Sequence, residues 1–111
     1  MVIAKRMLTL RRGNSDIVVP VRIFAPEKGK RGAWSCRVEI EWPDRTSAKD
    51  VAGFDSAQAL LSAMQMVGAE IYTSRYHKAG ELFWHAPGKG YGFPVAPTLR
   101  DLLQGDDAKH L

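Results

Sequence analysis

One cysteine, Cys36, occurs in the 111 residues. No intramolecular disulfide and no multi-cysteine metal site is therefore possible, which suits a reducing compartment. Histidine is nearly as scarce, at His77, His85 and His110, and no HExxH, CxxC or His-x-His spacing is present. No metal and no cofactor is expected. Long apolar runs are missing too, far short of the roughly 18 residues of a membrane span. The opening MVIAKRMLTLRR interleaves charge with apolar residues and lacks the apolar core and small-residue cleavage site of a signal peptide. A cytoplasmic protein is expected. The Gly-x-Ser-x-Gly elbow of a serine hydrolase is absent. Cys36 falls at an inward strand position, where burial raises a thiol's pKa and leaves it inert. These absences point to a non-enzymatic protein.

What is present is an ordinary globular composition, 45% hydrophobic and 25% charged, in a chain long enough for one core. The basic surplus is uneven. Residues 1–32 hold eight basic and two acidic side chains, and the remainder holds eight and ten. Such asymmetry draws an acidic partner or nucleic acid, or simply keeps a small domain soluble.

Residues 2–12 read as a strand, with Leu8 and Leu10 alternating with Met7, Thr9 and Arg11. Gly13 to Asp16 is a turn cluster. Residues 17–25 are a β-branched run with Ile17, Val19, Val21 and Ile23 inward, and Pro20 suggests an edge or a bulge. After the polar loop 26–32, Trp34, Cys36, Val38, Ile40 and Trp42 alternate with Ser35, Arg37, Glu39 and Glu41, a half-buried strand. Residues 45–51 suggest a fourth strand. The period then changes to helical over about 55–77, with Asp55 or Ser56 as N-cap and Gly80 near the end. Ala57, Leu60, Leu61, Met64, Val67, Gly68, Ile71 and Tyr72 make its expected buried side. Ala59, Ala63 and Met66 form a second, weakly polar side, left for the C-terminal segment or a second copy of the chain to cover. A short strand at 81–85, a Gly/Pro loop at 86–94 and a short helix at 99–104 capped by Thr98 follow. The expected fold is α+β: an antiparallel meander of three to four strands on one long helix, plus a short C-terminal strand and helix. Residues 1–105 are read as one domain and 106–111 as a mobile tail.

Gly53-Phe54-Asp55-Ser56-Ala57-Gln58-Ala59-Leu60, with Trp34-Ser35-Cys36 before it and Tyr91-Gly92-Phe93-Pro94 after it, resembles a family of small uncharacterised bacterial domains. The resemblance covers about residues 5–95. It implies a bacterial source and no known activity, so it brings no functional residues with it. In physical terms Gly53 allows an unusual backbone turn, Asp55 or Ser56 caps the helix, and Gln58 holds the capping-box position.

Gly88-Lys89-Gly90-Tyr91-Gly92 invites a phosphate-loop reading. No Ser or Thr follows Lys89, and Pro94 and Pro97 precede the next helix, so a P-loop is not met. The loop reads instead as a tight turn with Tyr91 and Phe93 tucked onto the core, still open to a binding role. Lys28, Lys30 and Arg31, with Lys5, Arg11 and Arg22, offer a basic surface. Trp34, Trp42, Tyr91 and Phe93 would be its stacking partners on nucleic acid, although both tryptophans share the inward parity. The candidate binding residues are thus Lys28, Lys30, Arg31, Lys89 and Tyr91, with no catalytic and no metal-binding residue. The expected function is protein binding, to an unidentified partner or to a second copy of the chain. Nucleic-acid binding through the basic first third is the alternative. An enzyme would need His77, His85 or Cys36 in one shared pocket.

Overall fold

The computed structural model describes residues 1–111. The chain runs β1 (Val2–Arg12), β2 (Ser15–Phe24), β3 (Glu27–Lys28), β4 (Trp34–Glu41), β5 (Thr46–Gly53), α1 (Ser56–Thr73), α2 (Arg75–Lys78), β6 (Leu82–Phe83), a 3-10 helix (Pro97–Leu102) and α3 (Gly105–His110). This is the expected α+β class, but the six strands form one antiparallel sheet. β5 pairs with one edge of β4, β2 and β3 share its other edge, and β1 and then β6 complete the sheet. The C-terminal strand therefore joins the meander beside β1 instead of standing apart, with Thr9 opposite Phe83 and Leu10 opposite Leu82. β3, two residues long, is too short to show a period.

Alternation along the strands decides which side is buried. Leu8, Leu10, Val19, Val21, Ile23, Cys36, Val38, Ile40 and Trp42 form the floor of the core, and Ala59, Ala63, Val67, Ile71 and Tyr72 of α1 lie on it. Burying such side chains contributes about 1.5–3 kcal/mol each for the larger aliphatic ones. Ile17 shares the inward parity yet is 36% exposed. It sits two residues from the hairpin tip, where little packs over the sheet. Pro20 lies in an interior strand without a bulge. β2 pairs with β4 only from Val21 to Ile23, so the missing N–H of Pro20 falls just past that ladder.

The helical segment breaks at Ser74, whose hydroxyl accepts from the His77 N–H at 3.1 Å and caps α2. The buried side of α1 also differs from the periodic reading. Ala59 and Ala63 face the core, while Ala57 and Leu61 are exposed, Leu61 at 53%. Small side chains at 59 and 63 let the helix sit close to the strands. A Cβ on Gly53 would overlap the backbone of Ala59, so this glycine is required by close approach and not by a left-handed backbone. A Cβ on Gly68 would likewise overlap the Pro94 carbonyl. The segment after the glycine loop thus covers the Gly68 side of the helix, whereas Ala59 and Ala63 of the expected second side face the core and Met66 stays exposed.

Candidate functional site

Two regions at opposite ends of α1 carry the chain's polar chemistry. The first surrounds Asp107. Its carboxylate is 3% exposed and accepts from the Tyr72 hydroxyl at 2.5 Å, the Tyr91 N–H at 2.7 Å and the Gly92 N–H at 2.8 Å. The expected mobile tail, 106–111, lies almost wholly within α3, fixed by this buried carboxylate. The expected helix at 99–104 is a 3-10 turn with no side-chain cap.

The glycine loop wraps this centre. Tyr91 is buried, and its hydroxyl lies 2.6 Å from His77 Nδ1 and 3.2 Å from the Leu82 carbonyl. Burial first, then the charge of Asp107, pushes the Tyr91 phenol up to about 12. Burial and the hydrogen bond to Asp107 raise Tyr72 as well. Burial lowers His77. Arg6 donates to the Tyr91 carbonyl at 3.0 Å, and its guanidinium stacks 3.9 Å from the Trp84 ring centre and 4.7 Å from that of Phe93. Of the two loop residues singled out from sequence, Lys89 is exposed, whereas Tyr91 is held inside, out of reach of a surface partner.

His77 and His85 do not meet. His77 lines one cleft with Tyr91, His85 lines another with His110, and Cys36 lines neither. The Cys36 thiol donates to the Phe24 carbonyl at 3.2 Å, and burial raises its pKa. A further cleft, about 320 Å³, is lined by Trp42, Asp44, Glu70, Arg75 and Tyr76. Its groups are engaged with one another. Glu70 accepts from Trp42 Nε1 and Ser47 Oγ, both at 2.8 Å, and pairs with Lys49 at 3.0 Å. Burial alone would raise this carboxyl, but those three donors hold it below its usual value. Tyr76 donates to Asp44, which also binds Arg75. This network ties β5 and the β4–β5 turn to the helices.

The second region is the other end of α1. Lys28 ends β3, and Lys30 and Arg31 project from the turn that follows. All three are exposed, and none joins any of the ion pairs of the molecule. Arg31 borders a cleft of about 530 Å³ whose wall includes Ala33, Ala52, Phe54, Gln58 and Ser62. Phe54 is 93% exposed. The cause is local. Asp55 caps α1 by accepting from the Gln58 N–H at 2.8 Å, and the Gln58 side chain reaches back to the Phe54 N–H at 2.6 Å, one residue short of the usual capping-box donor. A residue before the cap often packs on one in the second helical turn, here Ala59. Ala59 is completely buried under Gly53, so the ring of Phe54 has nothing to cover it.

Sequence reasoning brought out Lys28, Lys30 and Arg31 but missed Phe54, Arg6 and Asp107. An apolar residue just before a strong cap was the available signal for Phe54. For Asp107 there was none, because its partners lie at least 15 residues away.

No curated protein and no solved structure matches the chain. One family model, described as a domain of unknown function (DUF6968), matches residues 4–95. The match takes in the sheet, α1, α2 and the glycine loop, and it ends before the 3-10 helix and α3. With most of its length matched, the chain belongs to the DUF6968 family.

Proposed function

We propose that this is a non-enzymatic protein-binding domain that docks an acidic partner at the Phe54 end of α1. The exposed Phe54 ring, beside a cleft bordered by Arg31, is the observation that supports this reading. A large aromatic side chain left in water next to unpaired cations is what an anchor with electrostatic steering requires. Lys28, Lys30 and Arg31 speed the encounter, and Phe54 supplies apolar burial. Lys89, at the other end of the helix, lies outside this surface. The lone thiol of Cys36 suits a reducing cytoplasm, and the resemblance noted in the sequence suits a bacterial source. The nucleic-acid alternative uses the same cations but has fewer stacking rings to offer, because Trp42, Tyr91 and Phe93 are buried.

The test places a photoreactive phenylalanine analogue at position 54 and irradiates cells producing the protein. The expected result is a discrete adduct with an acidic protein, lost when Lys28, Lys30 and Arg31 are all changed to Glu. An adduct with a second copy of the chain moves the reading to self-association. Labelled DNA or RNA whose log affinity for the purified chain falls linearly with log salt moves it to nucleic acid. No adduct of any kind overturns docking at Phe54.

A further inference from the structure

The two long open edges of the sheet, along β5 and along β1 with β6, are finished differently. On the β6 side, β6 and Glu81 satisfy Thr9 to Arg11 of β1, and the rest of that strand carries Lys5 and a bulge between Val2 and Ala4. A lysine and a bulge on an exposed strand are devices that discourage further pairing. β5 has no bulge, and its one lysine, Lys49, is paired with Glu70 of α1. Its register with β4 is unbroken over all eight pairs, from Thr46 opposite Glu41 to Gly53 opposite Trp34. Its two charges are paired within the chain, Lys49 with Glu70 at 3.0 Å and Asp50 with Arg37 at 3.8 Å on the solvent face of the sheet.

The direction of the free backbone groups follows from alternation. The Gly29 N–H donates to the Ala33 carbonyl, so Ala33 faces β3 and the next residue, Trp34, faces β5. Cys36, Val38 and Ile40 do the same, which engages Gly53, Val51, Lys49 and Ser47. Thr46, Ala48, Asp50 and Ala52 therefore turn their N–H and C=O groups to the open edge, where no other hydrogen bond meets them. Beside this edge runs the row Ser62, Met66 and Glu70 of α1, fixed there because Glu70 bonds Ser47 and Lys49. Met66 is partly exposed on that row. The edge and the row lead to Phe54 and Arg31 at one end.

We infer that an extended peptide segment adds to β5 as a further strand, with apolar side chains along Met66 and Phe54 and a carboxylate at the Arg31 end. The inference rests on the docking surface proposed above and names how its partner is held. Main-chain hydrogen bonds to Thr46, Ala48, Asp50 and Ala52 supply affinity. The row on α1 and the unpaired Lys30 and Arg31 supply selection, since only one face and one end of the added strand meet them. The occupant is a strand of another protein. A second copy pairing through the same edge about a two-fold axis at Lys49 would bring two Lys49 side chains together, a like-charge pair that opposes it.

A library of linear peptides displayed on phage, panned on the full chain, tests this. Enriched peptides are expected to be free of proline over an alternating apolar stretch, with Asp, Glu or the terminal carboxylate at one end. On binding the most enriched peptide, the amides of Thr46, Ala48, Asp50 and Ala52 should exchange more slowly with solvent. Ala48→Pro should weaken binding about tenfold, since it removes a donor that the ladder to β4 does not use. Methylating alternate amides of the peptide should do the same without touching the protein. Binding that needs Phe54, Lys28, Lys30 and Arg31 but ignores Ala48→Pro and peptide methylation overturns strand addition and leaves the docking surface standing. Binding that needs the β5 edge but neither Phe54 nor the cations keeps strand addition and overturns that surface. Failure to enrich any peptide, or sedimentation of the free chain as a dimer closed through β5, overturns the inference.

Discussion

The two ends of α1 treat polar groups in opposite ways. At the Tyr72 end, a buried carboxylate, two phenols, an imidazole and a guanidinium form a network that leaves no buried side-chain nitrogen or oxygen without a partner. At the Phe54 end, three cations and an aromatic ring lie in water, and the neighbouring strand edge is open. The first end has invested its chemistry in holding distant segments together. The second has left its groups available. Polar density therefore marks where the fold is held together, and it is high at one end of the helix and low at the other.

The sharpest way to break this contrast is Asp107→Ala. It strands three buried or half-buried donors, and the expected cost is about 3–5 kcal/mol in urea unfolding. A cost below about 1 kcal/mol would mean that water replaces the carboxylate and that this end is not closed. Gly68→Ala comes next, at about 1–3 kcal/mol, because a methyl group must displace the Pro94 segment from the helix. Alkaline titration sharpens the contrast by a different route. Tyr91 is raised from 10 to about 12 in the folded chain. Its contribution is fully present below pH 10 and is lost as the pH rises from 10 through about 12. Phenolate absorbance and unfolding should therefore rise together in that window. At the open end, Phe54→Ala should change stability by less than about 0.5 kcal/mol, since the ring touches little to begin with. A larger loss there would show that Phe54 is structural and remove the contrast.

How much of this was legible depended on distance along the chain. The strand from Trp34 to Trp42 was readable because one sheet face is buried and the other is wet, which writes a period of two into the sequence. The cap at Asp55 was readable because its acceptor and donor are three residues apart. The C-terminal half of the buried side of α1, Val67, Gly68, Ile71 and Tyr72, was readable, but its first turns were misjudged because hydrophobic size marked the inward face while close packing selected Ala59 and Ala63 over Leu61. The sealed site was invisible because Arg6, Tyr72, Tyr91 and Asp107 come from four separate segments. The open end was half legible. Its cations stand in a run, but the exposure of Phe54 and the freedom of β5 are properties of the assembled sheet.

The span between Tyr72 and Asp107 bears on the order of events in time. The β1–β2 hairpin and the β4–β5 pairing are local and incur little loop-closure entropy, whereas the Asp107 hydrogen bonds need the sheet, α1 and the glycine loop already in place. Asp107 is therefore expected to act as a latch that closes after the rate-limiting step. Weakening it should leave the refolding rate of the chain nearly untouched and show almost entirely as faster unfolding in a denaturant-jump experiment, so that the lifetime of the native state is set by α3.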